Sequence, residues 1–295
     1  MASGWTITGS LADSLDDVRS SARQVREYEG VMPQLVDKQT LGEGIGTSWQ
    51  EITYAKLTAQ AITETTQLDN PQQISDSILT ITPTVVGIET FITDRVKARI
   101  NRKGLAQIGT LAQKAIQRTK NTDGLSIFST GATTASPGAG NTLTSGHIGA
   151  AVANISSNTT EPGNPPYRAV LHGFQIRDLQ DEILAGVGTY PVGEGITARV
   201  FAEGFRGMIS GAQIYEDGNI SIDSSTADAT GGVFAQEGII LVQGKAPTIK
   251  AVRNEARGGG GEHVYHYDEY AYGERPSAAY GWVQKIVSDA TAPTS

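Results

Sequence analysis

Residues 91–121, FITDRVKARINRKGLAQIGTLAQKAIQRTKN, contain no proline and read as helix. In the second half Leu105, Ile108, Leu111, Ala112, Ala115 and Ile116 recur at spacings of three and four, which puts them on one side of a 3.6-residue turn. Gln107, Gln113, Lys114, Gln117 and Arg118 fall on the other side. Ile92, Val96 and Ile100 form a second stripe whose phase does not carry through Gly104. The spacing therefore predicts two helical pieces with a kink or break at Gly104, a residue costing about 1 kcal/mol in a helix interior. Thr93-Asp94 supplies a start, and residues 121–124 a stop.

The same stretch concentrates positive charge. From Asp94 to Lys120 there are eight cations (Arg95, Lys97, Arg99, Arg102, Lys103, Lys114, Arg118 and Lys120) and one acid, a balance of +7. The whole chain carries −8, so the remainder carries −15. A basic rod in an acidic protein is either a solvated helix face or a surface for nucleic acid or an acidic partner. Arg95, Arg99, Arg102, Lys103, Lys114, Arg118 and Lys120 are the candidate residues for the second role.

A chain of 295 residues holds one large or two ordinary domains. Its 38% hydrophobic content and 35 glycines are low for a single core but above the range of disordered chains. With no cysteine, disulfides and thiolate metal sites are excluded, and assembly in a reducing compartment fits. Residues 1–10 have neither the basic start nor the apolar run of a secretory signal, and no apolar run approaches the length of a membrane span. The reading is of a soluble protein, or a part of something soluble.

Residues 10–28 repeat Leu11, Leu15, Val18, Ala22 and Val25 at helical spacing, with Asp13, Asp16 and Asp17 favouring the helix N-terminus. After a glycine-rich joint at 41–47, residues 49–62 and 73–88 are rich in Thr, Ile, Val and Leu and flank the turn Leu68-Asp69-Asn70-Pro71. They predict one long β-hairpin with no adjacent third strand, a ribbon barely stable alone and expected to lie across a neighbouring molecule. Residues 129–146 are almost wholly Ser, Thr, Gly, Ala and Pro, the composition of a flexible loop or domain joint. There follow an expected helix over 148–155 opened by Thr144 or Ser145, a strand over 167–172, and a helix with Ile176, Leu179 and Ile183. Beyond them lie a hairpin with its tip at 216–219 and a buried strand over 233–243. Residues 248–256, 263–272 and 280–287 predict a three-stranded antiparallel piece covering the long helix.

Several motifs fail on inspection. Gly238 to Lys245 has five residues between its glycines and Ala246 where a phosphate loop needs a hydroxyl. Gly42-Glu-Gly44-Ile-Gly46 is too short for a dinucleotide fingerprint and precedes a strand. His263 and His266, three apart in a strand, point to opposite faces and make a poor metal pair. The acidic run from Asp217 has Ile222 where a calcium loop needs glycine. There is no nucleophile elbow. The expectation is no enzyme, no cofactor and no metal, against the alternative of a hydrolase with an unrecognised carboxylate site.

An arm, an unsupported hairpin, a basic helical backbone and an α/β insertion describe an assembly subunit, since such parts need neighbours to cover them. The order of elements resembles the major capsid proteins of tailed double-stranded DNA bacteriophages, with the α+β Hong Kong 97-type fold. Residues 165–172 (PPYRAVLH), 232–238 (GVFAQEG) and 270–281 (YAYGERPSAAYG) are similar in local sequence. The resemblance implies an N-terminal arm (1–41), an extended loop lying over a neighbour (42–89), a peripheral domain with a spine helix (90–139), an axial domain (140–244) and closing peripheral strands (245–295). It also implies hexamers and pentamers of an icosahedral head, assembled in the host cytoplasm and residing in the virion. Its partners would be a separate scaffolding protein, a portal, possible decoration proteins and non-specifically bound double-stranded DNA, with no membrane. Shells of bacterial encapsulin-like nanocompartments share the fold and are the alternative. Covalent cross-linking, known in some members, is not carried over to Lys56, the one lysine of the hairpin.

Overall fold

In a computed structural model of the chain, the described residues are 30–44, 46–65, 71–99, 102–158, 161–185, 207–256, 259–275 and 281–293. The helix expected over 10–28 lies outside them. From Gly30 the chain makes a one-turn helix, α1 (Met32–Leu35), and strand β1 (Asp37–Thr40). Strands β2 (Trp49–Tyr54) and β3 (Asp76–Ile81) pair antiparallel, Trp49 opposite Ile81 and Tyr54 opposite Asp76. The predicted hairpin is thus present, but its return limb does not run on to residue 88. Pro83 has no N–H for the ladder, and beyond it β4 (Thr84–Thr93) joins a different sheet. Phe91, expected in helix, is the strand residue opposite His263, with ring centroids 4.4 Å apart.

Helix begins at Asp94, as the sequence indicates, and is described over α2 (Asp94–Arg99) and α3 (Arg102–Ser126). Gly104 lies within the helical run of α3, and the helix does not break at that residue. Nor does α3 stop at 121–124: it continues to Ser126 and a 3₁₀ turn over Ile127–Ser129. Packing carries it on. Ala112, Ile116, Lys120, Asn121, Gly124, Leu125 and Phe128 form one continuous buried stripe, polar in its middle.

Residues 130–144 are not a free joint. Ala132 bridges to Gln284, the Gly138 N–H donates to the Val287 carbonyl, and Leu143 is fully buried. Helix α4 (Ser145–Ser156) opens at Thr144, whose side chain forms a capping box with His147. Then come β5 (Tyr167–Leu171), α5 (Gly173–Ala185), β6 (Met208–Ile209) and β7 (Ala212–Glu216). The hairpin turn here is Ser210-Gly211, between β6 and β7, rather than 216–219. The expected strand over 233–243 is two strands, β8 (Asp228–Ala235) and β9 (Ile239–Asn254), separated by a 3₁₀ turn at Gln236–Gly238. β10 (Gly261–Glu274) returns antiparallel to β9, and β11 (Val283–Asp289) pairs with β8 rather than completing a three-stranded piece with them.

Two sheets result, ordered β1-β9-β10-β4 and β11-β8-β5-β7-β6, with the β2-β3 hairpin separate. One core packs α4 and α5 on the five-stranded sheet through Ile148, Ile155, Leu171, Leu179, Val233 and Ile286. A second core joins both sheets to α1 and the end of α3 through Met32, Leu125, Phe128, Phe234, Ile239 and Val283. Phe128 lies directly on Gly232, where an added Cβ would be 2.3 Å from its ring.

At the start of α5 the His172 Nδ1 accepts the Phe174 N–H (3.2 Å), and Gln175 Oε1 accepts the His172 N–H (3.0 Å). Burial lowers the His172 pKa below its usual value, outweighing the opposing charges of Glu216 and Asp217. Folding therefore favours the neutral ring, and the unfolded chain binds more protons. The stability this provides is complete above the usual histidine value of about 6.5 and declines as pH falls below it. Thermal melts of the unassembled subunit at pH 7.5 and 5.5 are expected to show a larger fall for wild type than for His172→Asn, which caps without titrating.

Candidate functional site

The described part of the basic stretch divides into two kinds of cation. Arg95, Lys114 and Arg118 are exposed. Arg99, Arg102 and Lys103 lie in α2 and α3, with side chains outside the description. Lys120 differs from its expected place. It is 6% exposed, and its Nζ lies 3.1 Å from Asp268 Oδ2, 2.5 Å from Gln243 Oε1 and 4.7 Å from the centroid of the Tyr270 ring. It stands on the buried stripe of α3 and holds the helix to β9 and β10, so it is withdrawn from the set of solvent-facing cations.

The polar groups around Lys120 satisfy one another. Gln243 Nε2 donates to the carbonyls of Lys245 and Glu269 and to the Asp268 carboxylate. The register of β9 against β10 shifts here, and the amide serves carbonyls at the irregularity. One turn further along α3, the Tyr270 hydroxyl donates to Asp123 Oδ2 at 2.7 Å, and burial together with that carboxylate pushes the phenol pKa upward.

A second polar centre roots the hairpin. The Arg275 Nε donates to the Glu51 carboxylate (2.8 and 3.1 Å), its Nη2 to Asp37 Oδ2 (3.0 Å) and its Nη1 to the Glu237 carbonyl (2.6 Å). Ile81, 5% exposed, packs beside it with Ile240 and Val242. Beyond this root the apolar side chains of the hairpin are bare: Ile52, Tyr54, Leu57, Ile62, Ile74 and Ile78 are all more than half exposed. Sequence reading did not find Arg275, because its partners at 37, 51 and 237 come together only through the sheet crossings.

The two histidines of β10 are separated as their spacing requires. His263 contacts Glu89 through Nδ1 and Asn254 through Nε2, on the face away from α3. His266, three strand positions on, falls on the opposite face and is buried. Among the described residues, no cluster of three or more His, Asp or Glu could hold a metal ion. No described helix is long and apolar enough to cross a membrane.

No protein-family model matches the chain, and no curated protein matches it in sequence. Solved structures do match. One from Mycobacterium phage Che8 has a TM-score of 0.70 at 14% identity, over 92% of this chain and 96% of that one. The Cyanophage Pam1 capsid asymmetric unit has a TM-score of 0.70 at 12% identity, over 99% of this chain and 100% of that one. The mature capsid of bacteriophage PhiM1 has a TM-score of 0.66 at 13% identity, over 93% and 91%. The likeness is one of fold, and the fold is the α+β Hong Kong 97-type expected from the sequence.

Replacing Lys120 by Met leaves the Asp268 carboxylate buried without its cation, a loss of about 3–5 kcal/mol. Lys114→Met, on the exposed face of the same helix, changes stability by less than about 0.5 kcal/mol. Urea denaturation of the unassembled subunits measures both, and equal effects would deny the buried pair its role.

Proposed function

We propose that this chain is a structural subunit, the major capsid protein of a tailed double-stranded DNA phage, which self-assembles into the hexamers and pentamers of an icosahedral head. The observation that carries the reading is the hairpin. An apolar ribbon held to the body at its root and bare beyond it is a liability in a monomer and an asset in a shell, where a neighbour covers it. The proteins that share this fold are described as capsids and heads, which favours a phage head over an encapsulin-like nanocompartment.

In this reading residues 1–41 are the arm and 42–89 the extended loop. The peripheral domain is built on α3 and the four-stranded sheet, and the axial domain on the five-stranded sheet, to which residues 283–289 return. The protein works without a cofactor, in the virion, after assembly in the host cytoplasm with a separate scaffolding protein, a portal and, where present, decoration proteins. Arg95, Lys114 and Arg118, with Arg99, Arg102 and Lys103, meet the DNA backbone without sequence preference.

Negative-stain electron microscopy and sedimentation of the purified protein, with and without its scaffold, test the class: shells or capsomer rings are expected, and a monomer in every condition would refute it. For the cations, duplex-DNA affinity of unassembled capsomers should fall steeply with salt. Lys114→Gln with Arg118→Gln should reduce the slope of log K against log salt by about 0.9 for each phosphate left without its cation.

A further inference from the structure

Lys120, Gln243 and Asp268 close a triangle of polar contacts. Lys120 Nζ lies 2.5 Å from Gln243 Oε1 and 3.1 Å from Asp268 Oδ2, and Gln243 Nε2 donates to Asp268 Oδ1. The carboxylate therefore touches an amine with one oxygen and an amide nitrogen with the other. Asp268 is 1% exposed and Lys120 6%, so water is kept from the amine and the acid. The Gln243 amide carbon, about 1.2 Å from its oxygen, lies within about 3.7 Å of Nζ at any angle of approach. That is close to the separation of reacting atoms in an oriented pair.

Gln243 Nε2 also has more acceptors than a primary amide can use. Besides the Asp268 carboxylate it lies 2.8 Å from the Lys245 carbonyl and 2.9 Å from the Glu269 carbonyl, and an amide nitrogen carries only two hydrogens. An ammonium ion has hydrogens for all three acceptors. Lys245, Asp268 and Glu269 line a groove of about 430 Å³ on the protein surface, so a small product formed at Nε2 has a way out.

We propose that Lys120 and Gln243 of the same chain join in an isopeptide bond, with Asp268 as the proton carrier. Asp268 Oδ2 takes a proton from the Lys120 ammonium and leaves a neutral amine as nucleophile. The amine lone pair attacks Gln243 Cδ, and the carbonyl pair moves onto Oε1. Nε2 then takes the proton held by Asp268, the Oε1 pair returns, and the Cδ–Nε2 bond breaks. The released ammonia takes up the remaining surplus proton from Nζ and departs as ammonium. One C–N bond has replaced another, Asp268 ends as the carboxylate it began as, and nothing is oxidised or reduced. The bond ties α3 to β9 across a separation of 123 residues, closing a covalent loop that salt does not loosen. It depends on this geometry alone and forms whether or not the chain assembles.

Mass spectrometry of the full chain, denatured after prolonged incubation in the folded state, tests this. The expected result is an intact mass below the sequence mass by one ammonia, with a branched tryptic peptide joining Lys120 to Gln243. Lys120→Arg keeps a cation beside Asp268 but removes the amine, so it should fold and retain its full mass. Asp268→Asn should slow the ammonia loss at least about a hundredfold. A full mass in aged wild type overturns the proposal. So does an ammonia loss that persists in Lys120→Arg or maps to other residues. Loss of water with Lys120 joined to Asp268 would equally overturn the assignment to Gln243. Wild type and Lys120→Arg decide the outcome even if Asp268→Asn does not fold.

Discussion

One amide holds three parts of the chain together. The Asn121 side chain, fully buried on α3, accepts the Met32 N–H at 3.0 Å through Oδ1 and donates to Asp217 Oδ2 at 2.6 Å through Nδ2. Met32 begins α1, and Asp217 follows β7 in the five-stranded sheet. Asp217, also fully buried, spends its other oxygen on the Asn219 N–H at 2.9 Å. The amide supplies one acceptor and one donor on separate atoms of a short side chain, and this position uses both. Gly30 passes so close that a Cβ there would lie 2.1 Å from Asn121 Cγ. The relation of the long helix to both sheets depends on this junction and on the Lys120 pair one residue before it.

Against that fixed centre the hairpin is a projection. Its root is charged and saturated at Arg275, and its outer length has apolar side chains with nothing of the same chain upon them. The contrast separates chain that its own fold buries from chain that a neighbour would bury in the proposed shell. Burial inside the chain is complete where the two sheets meet and at the hairpin root against Ile240 and Val242, and it is missing from the outer length of the hairpin.

Sequence reading was most successful where local chemistry decides. The start at Asp94, the opening of α4 at Thr144, the β2–β3 pairing and the order of helices and strands were legible because capping residues, turns and periodicity act over a few positions. The errors share a cause. Asn121 looked like a helix stop, and Lys120 like a solvent-facing cation, because both are polar; each is buried by partners 96 and 148 residues away. The strand over 233–243 looked continuous because apolar residues flank Gln236-Glu237-Gly238 on both sides. The change of sheet falls on those three residues, which form the 3₁₀ turn. The Ser/Thr/Gly segment looked loose because composition does not reveal that its backbone lies along β11. Arg275 was invisible for the same reason: its carboxylate partners are assembled by topology.

The placement of β11 has a consequence for the order in which the molecule is made. β8 is hydrogen-bonded on one side to β5 and on the other to β11, which lies about fifty residues downstream in the chain. During synthesis the rest of the five-stranded sheet is therefore complete while β8 still has an open edge, and the segment around Ala132 has no strand to lie on until Gln284 arrives. Contacts of such long sequence separation form late and slowly. The nascent subunit passes through a stage with a bare, Val/Phe-containing strand edge, at which chains translated side by side compete for the place of β11.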